Sequence, residues 1–166
     1  MTDKKTLREK YKKFDKSVCS ECVTAKLIQT KEYQEAKNIM IFYPLENEVN
    51  LLMLMEDKTK NFFLPKIEGN ELLCCPYCIG DELCVSKFRT QEPLTEPCDK
   101  SKIDLVVVPA LLCDLNNYRL GYGGGYYDRF LKDYEGKTIC CIPKELVVET
   151  VYPEEYDIKV DRVVTD

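Results

Sequence analysis

Histidine and tryptophan are absent from this sequence of 166 residues, and glycine occurs only seven times. Without histidine there is no serine–histidine or cysteine–histidine couple, and the usual zinc ligand is missing. Proton transfer must fall to carboxylates, lysines or tyrosines. Phosphoryl transfer, which rests on positioning and charge stabilisation, loses nothing by the absence. No apolar run approaches the length of a membrane span. The N-terminal MTDKKTLREKYKK lacks the apolar core of a secretion signal. A cytoplasmic protein with no membrane partner is therefore expected. The net charge of −5 argues against general nucleic-acid binding. At this length, residues 1–166 are expected to form one domain, able to bury a core without staples.

What is present in excess is cysteine, ten in all. Most sit among apolar residues, as in ELLCC (71–75) and TICCI (138–142), where a free thiol behaves as a small hydrophobe. Two patterns have chemical alternatives. CPYC (75–78) has the spacing of a redox dithiol, which wants an exposed first cysteine with a depressed pKa. Together with Cys19 and Cys22 it offers two C-x₂-C pairs to a zinc ion.

The scarce glycines are concentrated. In RLGYGGGYYD (119–128), Gly121, Gly123, Gly124 and Gly125 fall within five positions. Glycine lets a ligand approach the main chain, and successive bare N–H groups can form a concavity for phosphate oxygens. Arg119 adds a fork of donors for oxyanions, and Asp128 is a hard oxygen ligand suited to Mg²⁺. The segment has no lysine followed by Ser or Thr, which excludes the P-loop, and Tyr126 stands where a dinucleotide fingerprint needs its last glycine. The parts are those of a nucleotide-phosphate site. A second cationic group lies near the N-terminus. Leu7, Tyr11, Phe14 and Val18 predict a helix from residue 3 to about 30, capped by Thr2 or Asp3. Lys4, Lys5 and Arg8 then crowd its first turns, where the macrodipole disfavours cations and a bound anion would relieve the conflict.

Along the rest of the chain, strands are expected at 38–44, 61–65, 104–112, 138–142 and 159–165. Short helices are expected at 49–55 and 126–134, a hairpin over 71–88, and a polar surface loop over 90–102. This alternation predicts an α/β fold: three α/β/α layers, Rossmann-like, with a largely parallel central sheet. Ligands in such sheets bind beyond the carboxyl ends of the strands, where the glycine segment falls.

With these residues assembled, the chain resembles the 5-formyltetrahydrofolate cyclo-ligase (methenyltetrahydrofolate synthetase) family. The resemblance is carried by KKTLR (4–8), FYPLENEV (42–49), LPK (64–66), Glu92–Pro93, DLVVVP (104–109), RLGYGGGYYDRFL (119–131) and YDIKVDRVVT (156–165). It implies closure of 5-formyltetrahydrofolate to 5,10-methenyltetrahydrofolate, with ATP as co-substrate, Mg²⁺ as cofactor, and ADP and phosphate released. The formyl oxygen would be phosphorylated, and no protein nucleophile would be needed. The family pattern implies ATP contacts at Lys4, Lys5, Thr6, Leu7 and Arg8, and at Arg119, Leu120, Gly121, Tyr122, Gly123, Gly124, Gly125, Tyr126 and Tyr127. It implies folate contacts at Arg8, Tyr43, Glu48, Tyr122 and Tyr126, metal ligands at Asp128 and Asp157, and catalytic roles for Arg119 and Asp128. Tyr156, Gly124 and Glu145 depart from common family patterns, where histidine, lysine and glutamine are frequent. A monomer is expected. The alternatives are a non-catalytic nucleotide-binding relative of the same fold and the thiol-redox or metal-binding protein suggested by CPYC.

Overall fold

Five strands of the chain run parallel and one antiparallel in a single sheet, and the alternation of their side chains builds the layers on either side. The computed structural model describes residues 3–166. In chain order the elements are α1 (Lys4–Tyr11), α2 (Ser20–Leu27), α3 (Lys31–Glu35), β1 (Asn38–Met40), β2 (Asn61–Glu68), β3 (Glu71–Pro76), β4 (Leu83–Val85), β5 (Gln91–Pro93), β6 (Leu105–Val107), β7 (Leu112–Asp114), β8 (Arg119–Leu120), α4 (Tyr126–Leu131), β9 (Lys137–Cys141), β10 (Val147–Val148) and β11 (Arg162–Val164). The central sheet has the order β11-β9-β6-β1-β2-β3, parallel except for β3. Two small sheets, β10-β7-β8 and β4-β5, stand beside it.

Successive residues of a strand point to opposite faces, and the core divides accordingly. Ile39, Phe62, Leu64, Leu105, Val107, Ile139 and Cys141 join Val23 and Leu27 of α2 and Tyr33 of α3. Met40, Phe63, Val106 and Cys140 join Leu7 of α1, Phe130 and Leu131 of α4 and the β7–β8 hairpin. A strand buried on both faces needs an unbroken apolar run, which is what the sequence supplies at Leu105–Val108. The expected three-layer α/β/α architecture with a largely parallel sheet is the one observed. Among the described residues, no helix is long and apolar enough to cross a membrane.

Local differences from expectation have physical causes. The helix foreseen from residue 3 to about 30 is broken into α1 and α2. At Asp15 a carboxylate accepts from the Ser17 N–H (2.9 Å) and the Ser17 hydroxyl (2.5 Å), offering the backbone an alternative to the helical ladder. Val18, assigned to the apolar stripe, is 81% exposed. Asp3 caps α1 by accepting from the Thr6 N–H at 2.8 Å; Thr2 lies outside the described residues. The apolar stretch at 49–55 forms a 3₁₀ turn, Leu52–Glu56. The hairpin expected over 71–88 does not form. Instead β3 folds back on β2 through a two-residue turn, Gly69–Asn70, with Gly69 at φ +61°, and β4 pairs with β5. β5 lies within the loop expected over 90–102. The run 104–112 is two strands in different sheets, parted at Pro109.

The β7–β8 hairpin carries Arg119 toward the glycine segment, and one buried carboxylate holds it. Asp114 is 2% exposed and accepts from the N–H groups of Asn116 (2.9 Å), Tyr118 (3.1 Å) and Val151 (3.1 Å). Asp114→Ala strands these donors, two of them in the turn and one across the small sheet. The expected loss is about 3 kcal/mol of unfolding free energy, at roughly 1 kcal/mol or more per orphaned donor. Urea denaturation at neutral pH measures it.

Candidate active site

One cavity of about 940 Å³ opens at the carboxyl ends of the central strands. Phe42, Tyr43, Leu45 and Glu48 enter it from the loop after β1, Pro109 from the end of β6, and Pro65 and Ile67 from β2. β1 and β6 are neighbours in the sheet, yet the chain proceeds from β1 to β2 on the other side. This reversal of strand order separates the loops and leaves a crevice between them.

The phosphate-type wall is built from α1, β8 and the glycine segment. On α1, Lys4 and Arg8 are four residues apart and share the face toward the cavity, and Lys5 joins them at its edge. Arg8 Nε donates to the Gly121 carbonyl at 2.9 Å, fastening the helix to the glycine segment. Gly123 has φ +107°, a conformation that a side chain resists, and a Cβ there would lie 3.6 Å from the Arg8 guanidinium carbon. Gly125 caps α4 in the left-handed region at φ +72°. Arg119 is 7% exposed; it donates through Nη1 to the Pro109 carbonyl at 3.2 Å, while its Nε has no hydrogen-bond partner. A buried guanidinium beside the cavity sets a fixed positive charge at the wall, suited to an oxyanion. Arg129, outside the wall, donates to Gly124 O at 2.9 Å and to Asn70 O at 3.0 Å, tying the glycine segment to the β2–β3 turn.

Two carboxylates meet at this wall. Asp128 lies 3.9 Å from Arg119 Nη2 and accepts from the Ile158 N–H at 3.2 Å, which brings it beside the segment containing Asp157. Asp157 accepts from the Glu154 N–H at 2.7 Å and pairs with Lys4, whose ammonium also lies 3.2 Å from Glu154. The cationic crowding at the start of α1 is thus partly met by carboxylates of the chain itself. Those partners raise the Lys4 ammonium above its ordinary value, against the lowering effect of burial. Tyr156 sits at the rim, with Lys4 over its ring.

Across the cavity the lining turns aromatic and apolar. Glu48 is 5% exposed, and burial pushes its carboxyl above the ordinary range. One of its oxygens accepts from the Leu45 N–H at 2.9 Å, the other from the Tyr122 hydroxyl at 3.4 Å. Burial and the nearby Glu48 raise the phenols of Tyr122 and Tyr127. Phe88, at the tip of the β4–β5 hairpin, meets Tyr126 edge to face with centroids 5.9 Å apart.

Of the residues anticipated from sequence, Lys4, Lys5, Arg8, Tyr43, Glu48, Arg119, Leu120, Gly121, Tyr122, Gly123, Gly124, Gly125, Tyr126, Tyr127, Asp128 and Asp157 all line this cavity. Thr6 and Leu7 do not. Leu7 packs into the core, and the Thr6 N–H is occupied by the Asp3 cap. Glu145 is exposed and off the cavity wall. Among the wall residues not anticipated as part of the site are Glu92 and Phe88. Glu92 is 7% exposed and accepts from the Ile67 N–H at 2.8 Å; Phe88 stands at the end of the hairpin expected over 71–88 and lies instead in the β4–β5 turn.

The cysteine motifs come to little. Cys75 is buried in β3 and its thiol is pushed up to about 11, the reverse of a redox nucleophile, while Cys78 is exposed. Among the described residues, no group of three or more Cys, Asp or Glu side chains could hold a metal, so the proposed four-cysteine zinc site does not assemble.

A sequence profile of the 5-formyltetrahydrofolate cyclo-ligase family matches residues 2–166. The chain is 27% identical over 160 residues to the 5-formyltetrahydrofolate cyclo-ligase of Mus musculus, covering 85% of this chain and 79% of that protein. It is 28% identical over 142 residues to that of Escherichia coli K12, covering 78% of each. The solved structure of Aquifex aeolicus 5,10-methenyltetrahydrofolate synthetase superimposes with a TM-score of 0.81 at 33% identity, covering 98% of this chain and 86% of that one. A synthetase from Mycoplasma pneumoniae shares the fold with a TM-score of 0.77 at 21% identity, covering 98% of both chains.

The burial of the thiols is directly testable. Cys22, Cys78 and Cys84 are the exposed cysteines among the ten. Titration of the native protein with a chromogenic disulfide should modify three thiols rapidly and release the remainder only on unfolding. Fast reaction of Cys75 would reopen the dithiol reading.

Proposed function

The chain belongs to the 5-formyltetrahydrofolate cyclo-ligase family, and we infer from this premise that the cavity is its active site, where it closes 5-formyltetrahydrofolate to 5,10-methenyltetrahydrofolate. The observation that carries the assignment of the site is convergence. Lys4, Arg8, Arg119, the glycine segment and Asp128 form one wall, Tyr43, Glu48 and Tyr122 the other, within a single cavity. Its volume is at the upper end for a small-molecule site, as two co-substrates require.

The chemistry needs little from the protein beyond alignment and charge. A formyl oxygen is a poor leaving group, so ring closure requires activation. ATP is the phosphoryl donor in this reading. The formyl oxygen attacks the γ-phosphate and ADP departs. The neighbouring anilino nitrogen then attacks the activated carbon, losing its proton, and phosphate leaves. Arg119 and Arg8 compensate the charge on the transferring phosphoryl group, and the Gly121–Gly125 backbone admits the triphosphate close to the main chain. Glu48 accepts N–H donors of the pterin edge, and the rings of Tyr43, Tyr122 and Tyr126 pack on the folate. The segments joining α1, β8 and the glycine segment hold the two reacting groups in line, which is where most of the rate arises.

Asp128 and Asp157 would hold Mg²⁺. Both are hard oxygen donors at the same wall, Asp128 held to the segment containing Asp157 by the Ile158 N–H. Two carboxylates suit Mg²⁺, which keeps several waters and takes phosphate oxygens for the rest of its shell. When bound it supplies neutralisation of β- and γ-phosphate charge. Lys4 here neutralises Asp157 and becomes available to phosphate once that carboxylate has another counter-ion. A monomeric, cytoplasmic enzyme goes with this reading, and the net charge of −5 disfavours nucleic-acid partners.

Growth of near-ultraviolet methenyl absorbance from 5-formyltetrahydrofolate and Mg²⁺, only when ATP is added, tests the activity. A folded, ATP-binding protein giving no signal would instead be a non-catalytic relative. Asp128→Ala should lower kcat by roughly 10²–10³-fold, the scale of losing one transition-state charge contact. Its thermal midpoint should barely move, because Asp128 makes one 3.2 Å hydrogen bond and a 3.9 Å ion pair. Unchanged turnover would remove Asp128 from the mechanism. Arg8→Ala should raise the KM for ATP about tenfold, equivalent to one charge-assisted contact. An unaltered ATP dependence would exclude the α1 cations from the phosphate site.

A further inference from the structure

Lys16 is a buried cation that the proposed chemistry leaves without a use. It lies in the break between α1 and α2. Its N–H donates to the Asn47 carbonyl at 2.9 Å, and Asn47 Nδ2 donates back to the Lys12 carbonyl at 3.1 Å. These bonds clasp residues 12–16 to the loop that ends in Glu48. The Lys16 side chain is buried, with the residue 2% exposed, and its Nζ has no hydrogen-bond partner. Lysines almost never take such a place unless paired, and an orphaned buried donor calls for an explanation.

The surroundings supply one. Burial lowers the Lys16 ammonium, and the group that most opposes this is Glu48, followed by Asp15, Cys140 and Cys19. The relation is mutual: burial raises Glu48, and Lys16 is its counteracting cation. Glu48 lines the cavity and Lys16 does not, while the Lys16 backbone is bonded to Asn47, the residue before Glu48. The other groups around Glu48 are the Leu45 N–H, the Tyr122 hydroxyl and the Tyr127 phenol, none of which is cationic.

We propose that Lys16 is a positioning residue for the folate side of the site, a buried cation near Glu48 that keeps this carboxylate ionised and able to accept the N–H donors of a pterin-type ring. The proposal rests on the reading of the cavity as the folate site. A protonated Glu48 would present a hydroxyl donor where an acceptor is needed, so folate affinity must fall as pH drops through the Glu48 pKa. Removing the cation raises that pKa and moves the fall to higher pH.

The test compares wild type with Lys16→Met, which keeps the aliphatic stem and removes the charge. The methenyl chromophore is followed across pH at saturating ATP. The acid limb of kcat/KM for 5-formyltetrahydrofolate should move up by about one pH unit. KM for the folate should rise several-fold at neutral pH and converge with wild type in alkali, with KM for ATP unmoved. In a Glu48→Gln background the substitution should shift no limb. A purely structural Lys16 would alter stability or kcat and leave the limb in place, and that result overturns the proposal. Should Lys16→Met fail to fold, ¹³C-carboxyl titration of Glu48 in wild type and Lys16→Gln gives the same answer, an unshifted Glu48 being the overturning one. Wild type without ATP-dependent chromophore would instead bring down the functional reading itself, and this inference with it.

Discussion

β1 and β6 lie side by side in the sheet, but the chain leaves β1 toward β2 on one flank and arrives at β6 only after making the β4–β5 hairpin. The loops that follow the two strands therefore cannot close over each other, and a crevice at their carboxyl ends is unavoidable. Each later element fills a side of that crevice. The β1 loop brings Tyr43 and Glu48; Pro109 ends β6 and turns the chain into the β7–β8 hairpin, which delivers Arg119 and the glycine segment. α1 packs Leu7 into the same face of the core and so presents Lys4 and Arg8 to the opening. The site follows from strand order first and from individual side chains second.

The charge distribution follows the same division. The protein is acidic overall, yet Lys4, Lys5, Arg8 and Arg119 gather at one wall. They are restrained without ligand by carboxylates and carbonyls of the chain: Lys4 by Asp157 and Glu154, Arg8 by Gly121 O, Arg119 by Pro109 O. In the proposed reading such an arrangement costs little to reorganise, because a polyphosphate would replace contacts of the same kind. The opposite wall holds the buried carboxylate of Glu48 among aromatic rings. Two walls of opposite character select two different ends of a reaction.

Much of this was legible in the sequence, and the parts that were not share a reason. The continuous run around Leu105–Val108 announces a doubly buried strand, and four clustered glycines announce a backbone that must approach something closely. Both are local signals. Thr6 and Leu7 stand between Lys4 and Arg8 in sequence, yet Leu7 packs into the core and neither lines the cavity. The break at Asp15–Ser17 arises from side-chain bonds that compete with an otherwise acceptable helical pattern. Glu92 and Lys16 look like ordinary surface charges in sequence. Only the tertiary contacts, Ile67 N–H for the first and the 45–48 loop for the second, reveal that they are inside.

The two hydrogen bonds that Arg129 donates, to Gly124 O and Asn70 O, bear on how the chain tolerates interruption. An exposed two-residue hairpin turn is ordinarily the first choice for inserting a tag, a reporter domain or new termini. Gly69–Asn70 looks like such a place. Here the turn is one end of a strut whose other end holds the glycine segment, so lengthening it slackens the phosphate wall from across the sheet. The 3₁₀ turn at Lys144–Leu146, with Lys144 and Glu145 exposed and off the cavity wall, is the sounder point of entry for an engineer.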